Sequence, residues 1–267
     1  MPLFQPANLD TPVLQQFSLK GKIAIVTGGS RGIGLQLVWG LAEAGADVAF
    51  IYRTHQDADA TAAQIAQKTG VRVQAFKSDV TKRDLLLKTI DEIVADFGRG
   101  RLDVVIANAG VCSNVSSLDY SEESWAHINS VNYDGVMWTA QGAEKYFRKQ
   151  GKGNLIITAS VSATLVNTPQ MQAAYNASKA AALQLGRSLA VEWVDFARVN
   201  CVSPGYVHTE MLTRQPKKLL DQWISQIPGG RVCNPKELKS AYVFLASDAC
   251  PYMTGANMII DGGFTIP

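Results

Sequence analysis

The stretch Thr27-Gly28-Gly29-Ser30-Arg31-Gly32-Ile33-Gly34 limits what this chain can fold into more than any other segment does. It follows a predicted strand, residues 22–27, without a break and opens a predicted helix, residues 34–44. Glycines at this spacing let the backbone turn sharply and bring its N–H groups close to a ligand, because no Cβ stands in the way. Those free amides and the positive end of the helix dipole face the space above the turn, which favours a pyrophosphate there. Gly28, Gly32 and Gly34 carry this role, and Ser30, Arg31 and Ile33 complete the turn. Turn glycines with no ligand are the alternative; the strand before and the helix after favour the phosphate site.

After Leu19, short β-branched runs alternate with longer stretches of helical period, with no internal repeat or long linker. Strands are predicted at 22–27, 47–52, 72–77, 102–107, 154–158, 198–202 and 257–260, and helices at 34–44, 57–68, 84–97, 122–149, 173–195 and 236–247. Several strands are unbroken apolar runs, as expected where helices cover both faces of a parallel sheet. The expectation is an α/β fold: a single-domain, doubly wound Rossmann fold with a seven-stranded parallel sheet. Residues 1–18 read as an N-terminal arm and 19–267 as the domain, with a flexible flap at about 206–230 around Pro216.

With 267 residues, 47% of them apolar, the chain fits one large core. A formal charge of +2 offers no extended basic field for nucleic acid and no polybasic run for a membrane surface. The longest apolar runs, such as 104–107 and 180–183, are far shorter than the roughly 18 residues a membrane span needs. Cys112, Cys201, Cys233 and Cys250 have no close pairing, so free thiols in a reducing compartment are expected. The first 17 residues lack the features of a targeting peptide, and a cytoplasmic location is the expectation.

The second strand ends Tyr52-Arg53-Thr54, where an acidic residue would bind a ribose 2′-OH and repel a 2′-phosphate. Arg53 instead offers a fork of donors to such a phosphate, and Arg31 can reach it from the glycine turn, which favours NADP(H) over NAD(H). A solvated strand-end arginine is the alternative. Asp79-Val80 follows the third strand and Asn108-Ala109-Gly110 the fourth, both at carboxyl ends where an open α/β sheet places its ligand.

Tyr175 and Lys179 are four residues apart in a predicted helix and project from one face. Alone the pair says little, since such pairs occur on many solvated helices. Ser160 lies at the end of a strand fifteen residues earlier and Asn132 lies in the long helix before it. In this order and spacing, with Pro204-Gly205, Thr209 and Asp261-Gly262-Gly263, the chain from Leu19 onward resembles the short-chain dehydrogenase/reductase family. The resemblance implies a catalytic tetrad of Asn132, Ser160, Tyr175 and Lys179. It implies that Asp79 and Val80 lie at the adenine, and that Asn108, Ala109 and Gly110 line the cofactor cleft. Pro204, Gly205, Val207 and Thr209 would form the nicotinamide end, with Tyr175 and Lys179 beside the nicotinamide ribose.

The chemistry of carbonyl reduction needs these residue types. As the carbonyl carbon gains hydrogen, its oxygen gains negative charge and must receive a proton. A tyrosine with a pKa near 10 holds its proton tightly, but an ammonium about 4 Å away at an effective dielectric of about 20 favours the phenolate by roughly 4 kcal/mol. That is the expectation for Tyr175 and Lys179, with Ser160 on the substrate oxygen and Asn132 positioning a water.

Residues 190–193, 196–200 and 203–206 are similar to those of fungal mannitol 2-dehydrogenases, sorbose and L-xylulose reductases and yeast carbonyl reductases. This implies interconversion of a ketose and its polyol. The alternatives are a bulkier or acyl ketone, with Met171, Met211 and Trp223 shaping an apolar cavity, and a non-catalytic NADP(H) sensor. The pocket wall is expected from Ser162, 112–115, 167–170, 206–211 and Trp223. His55, His127 and His208 are too scattered for a zinc site, and no metal is expected. The family resemblance implies a homotetramer built on helices 122–149 and 173–195.

Overall fold

The computed structural model describes residues 10–266, so residues 1–9 of the expected arm lie outside the described residues. The rest of the arm includes a single helical turn, α1 (Val13–Gln16), after which Phe17 packs its ring 6.0 Å from that of Phe244. From there strands and helices alternate: β1 (Ile23–Thr27), α2 (Gly32–Glu43), β2 (Asp47–Tyr52), α3 (Ala58–Thr69), β3 (Val73–Lys77), α4 (Arg83–Glu92) and β4 (Val104–Ala107). The second half continues with α5 (Glu122–Asn129), α6 (Gly135–Gln150), β5 (Asn154–Thr158), α7 (Ala173–Glu192) and β6 (Arg198–Pro204). It closes with α8 (Glu210–Thr213), α9 (Lys217–Ser225), α10 (Lys239–Ala246) and β7 (Asn257–Ile260).

The seven strands form one sheet in the order β3-β2-β1-β4-β5-β6-β7, with every pairing parallel. The unbroken apolar runs have the expected cause. In β1, Ile23 and Ile25 enter a core with Leu86, Ile90, Phe147 and Leu183, while Ala24 and Val26 enter a second core with Leu37, Leu41 and Tyr242. Successive side chains point to opposite faces, so a strand covered on both sides has no polar face to show. Strand order reverses between β1 and β4, which opens a crevice beyond their carboxyl ends.

Two of the expected helices are interrupted. Helix 84–97 gives way after Glu92 to a π-helical turn, Ile93–Phe97, and helix 122–149 is split by another, Ser130–Asp134, between α5 and α6. A π turn takes in one more residue than an α turn and shifts the face that follows, a change that hydrophobic period does not register. The helix expected at 236–247 opens with a 3₁₀ turn, Pro235–Leu238, where Asn234 and Glu237 form a reciprocal capping box. Within the expected flap, Pro216 ends the irregular stretch and caps α9.

Helix α7 lies close to the sheet because Gly186 has no side chain: a Cβ there would stand 2.5 Å from Cys201 Sγ and 3.2 Å from Ile157 Cδ1. This close contact sets the depth at which α7 carries Tyr175 and Lys179 past the strand ends. Gly186→Ala is expected to lower the melting temperature through overpacking of about 1–3 kcal/mol. In a Cys201→Ala background, where the clashing sulfur is gone, the same change is expected to cost far less, as a thermal-denaturation double-mutant cycle would show.

Candidate active site

A cleft of about 890 Å³ runs across the carboxyl ends of the strands, from Arg53 and Asp79 at one end to Gln170 and Trp223 at the other. Its floor near β1 is the glycine turn. Gly28 and Gly32 have φ of +67° and +56°, in the left-handed region that favours glycine. A Cβ on Gly34 would lie 2.1 Å from the Gly28 carbonyl oxygen, so α2 can start here only on a glycine. Arg31 is the N-cap of α2 and offers the first amides no side-chain acceptor, which leaves them to an anion. This backbone cradle fits a dinucleotide pyrophosphate.

Asn108 fastens the turn from the β4 side. Its Nδ2 donates to the Thr27 carbonyl at 3.0 Å, its backbone N–H donates to Thr27 Oγ1 at 3.0 Å, and its Oδ1 accepts from Thr158 Oγ1 at 3.2 Å. Asp79 folds into a turn of its own, accepting from the Thr81 amide and hydroxyl at 2.9 and 2.8 Å. Burial opposes its ionisation, but the Thr81 hydrogen bonds and the charges of Arg53 and Lys82 hold it below the usual carboxylate range. Arg53 is exposed and lines the cleft beside it. Arg31 also lines the cleft, but its guanidinium is tied to α8: it bonds Glu210 at 3.2 Å, and Arg214 grips the same carboxylate oxygen at 3.1 Å.

Ser160, Tyr175 and Lys179 all line the middle of the cleft. Ser160 follows β5 and caps a 3₁₀ turn, Val161–Ala163, by accepting from the Ser162 amide at 3.1 Å, so its hydroxyl hydrogen remains free to donate. Ser162 is a different case, since its Oγ donates to Asn167 Oδ1 at 2.5 Å. Lys179 is 3% exposed and its Nζ donates to the Thr158 carbonyl at 2.8 Å. Asn132 lies in the Ser130–Asp134 π turn, not on a plain α-helix, and is fully buried. Its amide exchanges two 2.8 Å hydrogen bonds with the backbone of Val111 and gives a third to Ser178 Oγ at 3.0 Å. Gly110 lies between this amide and the lysine: a Cβ there would be 3.4 Å from Asn132 Oδ1 and 3.5 Å from Lys179 Nζ.

The surroundings of Tyr175 push its pKa in the direction opposite to the expected acidification. Lys179 Nζ lies over the ring, 5.8 Å from its centroid. Burial pushes the phenol well above its ordinary value, with Cys112 adding to the rise and the Ser160 hydrogen bond opposing it. Burial also pushes the Lys179 ammonium down to about 8. Desolvation penalises both charged forms here.

A family model described as Enoyl-(Acyl carrier protein) reductase matches residues 28–265. The NADP-dependent mannitol dehydrogenase of Hypocrea jecorina is 42% identical over 264 residues, 98% of each chain. The L-xylulose reductase of the same species is 46% identical over 271 residues, 96% of this chain and 94% of that one. The crystal structure of the NADPH-dependent 3-quinuclidinone reductase from Rhodotorula rubra superposes with a TM-score of 0.95 at 41% identity, covering 100% of this chain and 99% of that one. The chain belongs to the short-chain dehydrogenase/reductase family. It is an oxidoreductase acting on CH–OH and C=O groups.

The remaining family-motif residues, Ala109, Pro204, Gly205, Val207 and Thr209, also line the cleft, as do Ser30, Ile33 and Val80. His208 is exposed and outside it, and Met171, expected to shape an apolar cavity, is 63% exposed and outside it too. Sequence reasoning missed Thr158, whose carbonyl holds the lysine, and Ser178, which holds Asn132. It also missed Gln172, whose Nε2 donates to Asn176 Oδ1 at 2.8 Å and to Asn167 Oδ1 at 3.1 Å. Ser178 was the findable one, since it adjoins Lys179 on a helix turn that faces inward. Among the described residues no group of three or more His, Cys, Asp or Glu is placed to hold a metal ion. Asn132→Ala is expected to leave the Val111 amide and carbonyl unpaired and to cost about 1–3 kcal/mol in urea denaturation.

Proposed function

We propose that this enzyme interconverts a ketose and its polyol with NADP(H), using Tyr175 as the general acid in reduction and the general base in oxidation. The observation that carries the ketose reading is the wall at the substrate end of the cleft. It is built of Ser162, Asn167, Gln170, Gln172 and Tyr206, a set of amides and hydroxyls suited to a polyhydroxylated chain. The names of the Hypocrea jecorina relatives agree with it. The similarity to the quinuclidinone reductase favours a compact bicyclic ketone as the second reading.

The glycine turn, with Gly28, Ser30, Arg31, Gly32, Ile33 and Gly34, would hold the pyrophosphate of NADP(H), and Arg53 with Arg31 the 2′-phosphate. Asp79 and Val80 would bound the adenine. Asn108, Ala109 and Gly110 would line the middle, and Pro204, Gly205, Val207 and Thr209 the nicotinamide end. The bound cofactor supplies the two electrons of the reduction. Tyr175 gives its hydroxyl proton to the carbonyl oxygen, and Ser160, its oxygen engaged by the Ser162 amide, donates its own hydrogen to the same atom. Lys179, while charged, stabilises the phenolate left behind and holds the nicotinamide ribose. Asn132 holds the Val111 backbone and so the loop that passes Lys179.

The same reading makes the enzyme a cytoplasmic homotetramer. Four unpaired thiols suit a reducing compartment, and no helix among the described residues is long and apolar enough to cross a membrane. Trp125 on α5, Tyr133 beside it and Val191 on α7 expose apolar surface for subunit contacts.

The test is NADPH consumption with fructose, sorbose, xylulose, a diketone and an aromatic ketone. The expected result is a marked preference for the ketoses, and loss of at least about a hundredfold in turnover for Tyr175→Phe. Equal rates on the aromatic ketone, or a fully active Tyr175→Phe enzyme, would overturn the reading. The pH profile has a definite sign. Tyr175 keeps its proton across neutral pH, whereas Lys179 loses its charge above about 8. The kcat/KM for ketone reduction is therefore expected to fall as pH rises through about 8.

A further inference from the structure

The polar wall has a direction. Trp223 lies on α9, and its indole N–H can only donate; it does so to Gln170 Oε1 at 2.7 Å. That contact orients the Gln170 amide, since the opposite orientation would set N–H against N–H. Gln170 Nε2 must then face the other way, and it donates to the Tyr206 hydroxyl oxygen at 3.0 Å. Asn167 faces the phenol with the same end of its amide. Its Oδ1 accepts from Ser162 Oγ at 2.5 Å and Gln172 Nε2 at 3.1 Å, so its Nδ2 is left to donate to the Tyr206 oxygen at 3.2 Å.

Two donors thus converge on one phenol oxygen and use its acceptor capacity. The Tyr206 hydrogen has no acceptor among the described residues, and the residue lines the cleft that contains Tyr175. Its ring is held on two sides, stacked on Trp223 at 4.8 Å and 18° and edge-on to Phe264 at 5.1 Å and 73°. Burial keeps the group a neutral phenol, against the two amides that favour its ionised form.

We propose that Tyr206 is a specificity-determining residue, a fixed hydrogen-bond donor for an acceptor oxygen of the substrate away from the reacting carbonyl. Ser162, Asn167, Gln170 and Trp223 are positioning residues that set its polarity. The donor selects substrates carrying a hydroxyl or ring oxygen at that place. It discriminates against an apolar chain, which leaves the donor unpaired, and against an ammonium, which has no lone pair to offer. This rests on the ketose reading and names the group that enforces it.

The experiment compares kcat and KM for fructose and 2-hexanone, with NADPH, in the wild-type enzyme, Tyr206→Phe and Trp223→Phe. Wild type is expected to prefer fructose. Tyr206→Phe is expected to cut that preference, as a ratio of kcat/KM values, by about tenfold, through the KM for fructose. Trp223→Phe keeps a stacked ring but releases the Gln170 amide, and a smaller fall in the same direction is expected even if Tyr206→Phe folds poorly. A wild-type enzyme with no preference for fructose sinks the ketose reading and the donor together. A preference that survives unchanged in both variants, or a Tyr206→Phe effect equal on the two ketones, overturns the donor alone.

Discussion

Burial of a parallel sheet on both faces governs the rest of this molecule. Each central strand sends alternate side chains into two separate cores, so the strands have no room for reactive groups along their length. Polar chemistry is displaced to the loops beyond the carboxyl ends, and strand order decides where those loops part to admit a ligand. The glycine turn after β1, the Asn108 loop after β4, Ser160 after β5 and the Pro204-Gly205 turn after β6 all border one cleft for this reason.

The same burial sets the electrostatics of the site. Lys179 and Tyr175 reach the cleft from a helix packed tightly on the sheet, and both lose solvation in doing so. The lysine is held by a neutral carbonyl and not by a carboxylate, and the opposing pull of Cys112 and Cys201 does not make up for its lost solvation.

The wall opposite the catalytic residues follows a different logic, in which hydrogen-bond direction matters more than charge. Donor-only groups such as the Trp223 indole orient the amides beside them, and that order passes along the wall to Tyr206. Part of that wall rests on α9, whose Trp223 fixes the direction of the Gln170 amide.

The strands, their parallel pairing and the phosphate turn were legible in the sequence because they depend on local rules: apolar runs for two-faced burial, and glycines where a Cβ would strike backbone. Asp47–Tyr52, Asn154–Thr158 and Asn257–Ile260 fall where the residue pattern puts them. The π turns at Ile93–Phe97 and Ser130–Asp134 were not legible, because a single five-residue turn is too short to show a hydrophobic period of its own. The positions of Ser160, Tyr175 and Lys179 could be read from spacing, but the balance of their charges could not. That balance depends on how deeply α7 lies against Cys201, on the Thr158 carbonyl and on the solvent each group loses, and these exist only once distant segments have packed together.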